Sequence, residues 1–392
     1  MGGLLELIIV LIIVSVIYQM FFTKKEKKFD PREDGSVDKD NKKHITLPKE
    51  KDGYTPVAPI GEKKRFAEER AFVDEVEKKE KILNKTSTLL GHTESFEDVF
   101  ISSKELNAMC LIVGATGAGK TECIKTVLEI ALKNNNPIII VDGKGDPSFP
   151  NEYKKECDKY NRSFKLFSCD INNSMHYNPL RHGLYTELKD KLIDIFDWSE
   201  DYYKSQAERF LQGVFKMLLL PETKELLGYE AIDLQILIKS LSVEVMENLV
   251  PQIGEKADFM LQILAEADKK AITGYSGRLK TLAESELGDL FIDTQDDNVI
   301  DLVDSIQNND VVFFSLDSLK YSVYAQMLGR LIISDLKNVA PRFAAKKKEV
   351  FTVFDEFNVF ASETVVNLIN KTRSYGFRNI ISTQELADMV IN

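Results

Sequence analysis

Gly114-Ala115-Thr116-Gly117-Ala118-Gly119-Lys120-Thr121 satisfies the pattern G-x-x-x-x-G-K-[ST] at every fixed position and directly follows the apolar run Met109 to Val113. Glycines at this spacing let successive backbone N–H groups turn inward around a polyphosphate. A lysine in the seventh place reaches β- and γ-phosphates, and a hydroxyl beside it can ligate Mg²⁺. Lys120 and Thr121 occupy those places. Glu122 to Lys133 reads as the helix whose positive amino end completes the anion site. The eight residues make a nucleotide-binding loop between a strand and a helix.

A second constellation lies far downstream. Phe351-Thr352-Val353-Phe354-Asp355-Glu356 sets two carboxylates at the end of an apolar strand. Asp355 at a strand's carboxyl end can hold Mg²⁺ through water, opposite Thr121, while Glu356 can polarise an attacking water. Such a strand end is common in α/β proteins; paired with a complete phosphate loop it reads as an ATP-hydrolysing set. Lys120 and Glu356 are then the catalytic candidates. Gly114 to Thr121 and Asp355 bind the nucleotide, with Thr121 and Asp355 on the metal. Arg373 ends the next helix and Gln384 follows the last strand. An arginine is favoured at a helix C-terminus by the dipole alone, and a glutamine after a strand is often plain surface, so their types do not decide between function and surface.

The elements that must position these groups are legible as apolar runs. Strands are expected at Met109 to Val113, Pro137 to Asp142, Ser163 to Cys169, Val311 to Leu316, Val350 to Asp355 and Arg378 to Ser382. Unbroken apolar strands imply a parallel sheet covered on both faces. Helices alternate with them at Asn151 to Tyr160, Ser322 to Asn338 and Glu363 to Tyr375, giving right-handed crossovers in a doubly wound α/β fold. From about Leu184 to Leu290 no strand is expected, only amphipathic patterns such as Glu208 to Leu219, Ala231 to Ser240 and Phe259 to Asp268. A stretch of that length is an inserted all-α domain.

The first twenty-odd residues differ from the rest. Leu4 to Phe22 is an apolar run, broken only by Glu6, Ser15, Tyr18 and Gln19 and followed by Lys24-Lys25-Glu26-Lys27-Lys28. It is long enough to cross a bilayer, and basic residues on that side alone place the body in the cytoplasm. No basic region precedes the run and no small-x-small site follows, so a retained anchor is expected over a cleaved signal. The expected organisation is a transmembrane anchor (1–22), a charged linker (23–60), a nucleotide-binding body in two parts (61–183 and 291–392) and the all-α insertion (184–290). Cys110, Cys123, Cys157 and Cys169 form no C-x-x-C pair and read as small buried residues of a reducing compartment, and the four histidines have no ligand spacing. The net charge of −11 excludes a uniformly basic coat for nucleic acid while leaving room for local contacts. Arg342 and Lys346-Lys347-Lys348 form one basic cluster, read as a solvated loop.

Taken in order, the motifs resemble the type IV secretion coupling proteins, the membrane-anchored ATPases of bacterial conjugation within the FtsK/HerA-like DNA pumps. The residues that carry the likeness are the phosphate loop Gly114 to Thr121, Val141-Asp142-Gly143-Lys144-Gly145-Asp146, Tyr177-Asn178-Pro179-Leu180, Phe354-Asp355-Glu356-Phe357, Thr372-Arg373-Ser374-Tyr375-Gly376-Phe377 and Ser382-Thr383-Gln384. The resemblance implies a RecA-like P-loop NTPase core using ATP and Mg²⁺. It makes Arg373 an arginine finger for a neighbouring subunit and Gln384 a γ-phosphate sensor. It further implies a hexameric ring, single-pass in the bacterial inner membrane, that moves DNA, with a relaxase or a secreted protein as substrate, toward the components of a secretion channel. Many such proteins have two membrane helices and a periplasmic loop, where one run is found here, and they continue with a closing helix and strand past the position of Asn392. Two other readings stand beside it: a chromosome-partition type of DNA pump, and a nucleotide-regulated membrane scaffold or substrate receptor with little hydrolysis, which the acidic balance favours slightly.

Overall fold

The computed structural model describes residues 87–385, apart from 108, 295, 297, 347 and 362. The expected anchor, the linker and the first residues of the expected nucleotide-binding body, 61–86, lie outside the described residues. Among the described residues no helix is long and apolar enough to cross a membrane. All of them belong to one compact unit, Glu69–Asn392.

An antiparallel hairpin, β1 (Ser87–His92) and β2 (Asp98–Ser102), precedes the main sheet. Six strands then form that sheet: β3 (Cys110–Val113), β4 (Ile138–Asp142), β5 (Phe164–Ser168), β8 (Val311–Ser315), β9 (Val350–Asp355) and β10 (Phe377–Thr383). Their order is β3-β10-β9-β4-β8-β5 and every pairing is parallel. A two-residue pair, β6 (His176–Tyr177) with β7 (Val299–Ile300), lies apart from it. All six strands expected from apolar runs are present with shifts of a residue or so at their ends. The hairpin and the short pair are additions that the runs did not indicate.

Strand pleating sorts the apolar side chains into two layers. Ile138 and Ile140 of β4 join Val311, Phe313, Phe351 and Val353 on one face, under α1 (Lys120–Lys133) and α2 (Ser148–Lys159). Ile124, Val127, Leu128 and Ala131 recur at helical spacing along α1 and make that contact. Ile139 and Val141 face the other way, with Phe314 and Phe354, against the long helix of Ser322–Ala344. Each buried Phe or Ile contributes on the order of 2 kcal/mol. Together these offset the cost of holding two carboxylates, Asp142 and Asp355, at the core's edge.

Between β6 and β7 every regular element is helical: α3 (Tyr185–Ile193), α4 (Asp201–Leu218), α5 (Pro221–Leu227), α6 (Leu234–Ser240), α7 (Val243–Ile253), α8 (Phe259–Ala265) and α9 (Lys269–Ala283). The buried side chains of this stretch belong to the same cluster as the second face of the sheet. Residues 178–298 are therefore a helical layer sharing the sheet's core. After β7 come α10 (Leu302–Asn308), α11 (Ser322–Ala344) and α12 (Glu363–Thr372).

The turn Tyr177-Asn178-Pro179-Leu180 fastens that layer. The Tyr177 hydroxyl donates to Asp335 on α11 at 2.9 Å, and the buried Lys191 ammonium meets the other Asp335 oxygen at 2.7 Å. Lys191 also donates to the carbonyls of Pro179 and His182. Asn178 donates to Ile232 O and Asp293, and Arg181 pairs with Asp293. Each buried polar group is matched, as burial requires.

Arg162 is a second fastening. Its buried guanidinium donates to the carbonyls of Ala131 and Leu132 at the end of α1, of Asn136 before β4 and of Asn309 before β8. A planar fork suits this task and an ammonium does not. Arg162→Met should lower unfolding free energy by about 2 kcal/mol, because the carbonyls of Asn136 and Asn309 lose their donor, while those of Ala131 and Leu132 keep the N–H groups of Asn136 and Asn135. Arg162→Lys should recover less than half of that loss. Urea denaturation of the three proteins measures it, and an Arg162→Lys protein as stable as the parent would refute the role of the fork.

Candidate nucleotide site

Residues 114–121 form the loop from β3 into α1. Gly117 and Gly119 hold φ of +82° and +86°, a region in which a side chain is strained. The amino end of α1 has no side-chain cap, so its N–H groups are left to the loop. Lys120 Nζ donates to Gly114 O at 2.7 Å, spanning the loop's mouth. Gly114 N–H donates to Thr383 O, tying the loop to the end of β10.

Two carboxylates face this loop from neighbouring strands. Asp142 ends β4 and Asp355 ends β9, and the parallel register sets them directly side by side. Both are buried. Asp142 accepts the N–H groups of Lys144 at 2.9 Å and Gly145 at 3.1 Å, one on each oxygen. Asp355 accepts the N–H of Glu356 at 3.0 Å, and its carbonyl accepts the N–H of Gly143. Burial pushes the Asp142 carboxyl up to about 7. The charges of Asp355 and Glu356 push the same way, and the two backbone donors oppose them.

Glu356 sits in the left-handed region with φ +50°, an uncommon backbone for a non-glycine and a local strain of about 1 kcal/mol. There the chain turns from β9 into Phe357–Val359, and the Glu356 carboxylate meets Gln384 beyond β10. Gln384 Nε2 donates to both Glu356 oxygens at 3.1 Å. Since β10 lies between β3 and β9, Gln384 stands between the phosphate loop and the Asp-Glu pair.

These groups line one small cleft of about 280 Å³, bounded by Ala115, Thr116, Gly117, Gly119, Lys120, Thr121, Lys144, Asp355 and Glu356. An adjoining hollow of about 220 Å³ brings in Asp142 and Asp146. A larger cavity, about 650 Å³, opens beyond the ends of β5 and β8 and contains none of residues 114–121. Chemistry rather than size marks the smaller cleft: backbone donors and a lysine on one wall, oxygen ligands on the other. The hydroxyl of Thr121 and the carboxylate of Asp355 are the hard oxygen donors that suit Mg²⁺.

Arg373 is placed elsewhere. It is exposed and opens the turn Arg373–Tyr375, where its carbonyl accepts the N–H of Gly376, whose own carbonyl accepts from Val350 at the start of β9. The length of β9, roughly 17 Å at 3.3 Å per residue, separates it from Asp355. It cannot reach its own subunit's cleft. The turn is held by Asn379, which donates to Ile369 O and Thr372 Oγ1. Of the basic cluster, Arg342 pairs with Glu187 and Lys348 donates to Gln307 O, both surface fastenings, while Lys347 lies outside the described residues.

In the sequence Asp142 and Lys144 stand out only as part of Val141 to Asp146 and have no role of their own. The structure pairs Asp142 with Asp355 and puts Lys144 on the wall of the cleft. The available signal was Val141-Asp142-Gly143-Lys144-Gly145-Asp146 after a wholly apolar strand, yet the register with a strand over two hundred residues later is not local information. His182, Asp301 and Asp304 also converge, their ligand atoms within 4.8 Å of one another. Asp301 there caps α10 by accepting the N–H of Asp304.

The fold and the cleft together define a P-loop NTPase. Residues 86–340 match the family described as Helicase HerA, central domain (DUF87), and the chain belongs to that family. No curated protein matches it in sequence. Among solved structures, it is similar to the bacterial conjugative coupling protein TrwBdeltaN70 at 12% identity and a TM-score of 0.52, covering 78% of this chain and 66% of that one. A form of the plasmid coupling protein TrwB in complex with ADP and Mg²⁺ matches at 13% identity and TM-score 0.52, covering 78% and 70%. VirB4 of Thermoanaerobacter pseudethanolicus matches at 17% identity and TM-score 0.52, covering 77% and 78%. The chain thus spans just under two thirds of the first of these relatives, and at such identities what is shared is the fold.

The buried pair makes the stability of the fold depend on pH. The folded protein holds the Asp142 proton up to about pH 7, whereas the unfolded chain releases it near the ordinary 3.8. Stability from this group is therefore complete below pH 4 and is lost as pH rises through 7. Melting curves of nucleotide-free protein from pH 4 to 8 should show this decline, and Asp142→Asn should flatten it. An unchanged slope in the variant would rule the assignment out.

Proposed function

We propose that the protein is a membrane-anchored ATPase that couples ATP hydrolysis to the movement of DNA, or of a protein or nucleoprotein substrate, into a type IV secretion or conjugation channel. The observation that carries the enzymatic half is the convergence of Lys120, Thr121, Asp355 and Glu356 on one cleft, with Gln384 bonded to Glu356 from the adjoining hollow. Lys120, now on the Gly114 carbonyl, moves to the β- and γ-phosphates as the loop's N–H groups enclose them. Thr121 and Asp355 would hold Mg²⁺, which would neutralise phosphate charge. Glu356 orients and polarises the attacking water, and Gln384, already on both Glu356 oxygens, reports the γ-phosphate to that carboxylate.

Arg373 supports the oligomeric part of the reading. Lying roughly a strand's length from its own cleft, it serves as an arginine finger only toward a neighbour's nucleotide, and a ring, hexameric by analogy, provides that neighbour. The likeness to conjugative coupling proteins and to VirB4 supports the substrate class and the secretion setting. The apolar run Leu4 to Phe22 with its basic flank supports a single pass through the bacterial inner membrane with the body in the cytoplasm. The acidic net charge favours a second reading, a nucleotide-regulated scaffold or receptor with little hydrolysis.

Purified protein should hydrolyse ATP faster with DNA present, and Lys120→Ala should abolish it. Glu356→Gln should retain nucleotide binding while lowering turnover by about a hundredfold or more. Nucleotide binding without hydrolysis in the parent protein would favour the receptor. A mixture of Lys120→Ala and Arg373→Ala proteins should regain part of the activity that neither shows alone, since mixed rings contain an intact cleft facing an intact Arg373. Absence of any regain at equimolar mixing would sink the trans assignment.

A further inference from the structure

Residues 143–147, the loop that follows β4 at the carboxyl end of the sheet, carry a second lysine. Lys144 lines the cleft beside Thr116, Thr121 and Asp355 and also the neighbouring hollow that holds Glu356 and Gln384. It thus stands where the terminal phosphate of a nucleotide on the loop would lie, on the side of the water-activating groups rather than beneath the loop with Lys120.

The backbone that presents it is tightly constrained. Its own N–H and that of Gly145 are spent on Asp142, and Gly143 O accepts the N–H of Ser318. Gly145 has φ +73°, and a Cβ there would lie 2.3 Å from Asp317 Cα, so the loop is wedged in place. The side chain, in contrast, has one hydrogen-bond partner among the described residues. Lys144 Nζ meets Asp146 Oδ2 at 3.1 Å, in a pair that is 54% and 39% exposed. Exposed pairs of this kind are worth less than about 1 kcal/mol, and a polyphosphate oxygen is the stronger acceptor. Asp146 itself stays fixed, because its other oxygen accepts the N–H and hydroxyl of Ser148 at the start of α2.

We propose that Lys144 is a second phosphate-binding cation that contacts the γ-phosphate and so selects nucleoside triphosphate over diphosphate, with Asp146 as its resting partner. On this view the ammonium exchanges one carboxylate for a phosphate oxygen when triphosphate enters, and returns to Asp146 when diphosphate is left. The proposal rests on the nucleotide reading of the cleft.

The test is a fluorescence titration of the whole chain with a non-hydrolysable ATP analogue and with ADP, both with Mg²⁺. Lys144→Met should weaken the analogue about tenfold and change ADP by less than about twofold. Lys144→Arg should keep most of the preference, and Asp146→Asn, which preserves the acceptor for Ser148, should raise the preference for the analogue. Equal weakening of both ligands in Lys144→Met, or no weakening of either, overturns the proposal. If the parent protein binds neither ligand, the nucleotide reading itself fails, which is a separate outcome. Melting temperature of Lys144→Met should match the parent, since the half-exposed side chain packs against little, so a binding loss is not an unfolding loss.

Discussion

The parallel register of β4 on β9 sets Asp142 beside Asp355 at the carboxyl end of the sheet, and the nucleotide end is arranged around that pair. Two buried carboxylates cannot both be charged without compensation. Two backbone N–H groups meet Asp142 and one meets Asp355, while Lys120 and Lys144 line the cleft that Asp355 shares. What remains uncompensated favours a cation, which a metal-bound nucleotide brings. The apolar burial along β4 and β9 holds the two strands in register against this repulsion.

The position of β10 has a comparable effect. Inserted between β3 and β9, it carries Gln384 to the gap between the phosphate loop and Glu356, and its other end carries the turn that presents Arg373 outward. One strand therefore links the cleft to a surface on the far side of the sheet. Asn379, midway along it, joins β9 through Thr352 and α12 through Thr372. The helical layer of residues 178–298 shares a core with the same sheet, and Tyr177 and Lys191 fasten it to Asp335 on α11.

Much of this was legible in the chain because it is local. The phosphate loop is contiguous, and Gly117 and Gly119 sit at the positions that need left-handed backbone. The central strands β4, β8 and β9 were legible because strands covered on both faces need apolar runs, as Ile138-Ile139-Ile140-Val141 shows. The hairpin β1–β2 was missed because Leu89, Leu90, Val99 and Phe100 are half-exposed and blur the alternation that marks a strand. β6 and β7, two residues each, are too short to leave a pattern. Neither the strand order nor the Asp142–Asp355 and Glu356–Gln384 contacts could be read, since each depends on pairing between distant segments. The placement of Arg373 away from its own cleft likewise follows from topology.

Whether the paired strand ends make a metal-dependent nucleotide site is tested most directly by calorimetric titration of a non-hydrolysable ATP analogue into the parent protein and into Asp355→Asn, each with Mg²⁺ and with a chelator. Binding by the parent should be at least about tenfold tighter with Mg²⁺, and Asp355→Asn should lose most of that gain. Equal affinities with and without Mg²⁺ in the parent, or an undiminished Mg²⁺ effect in Asp355→Asn, would contradict the site.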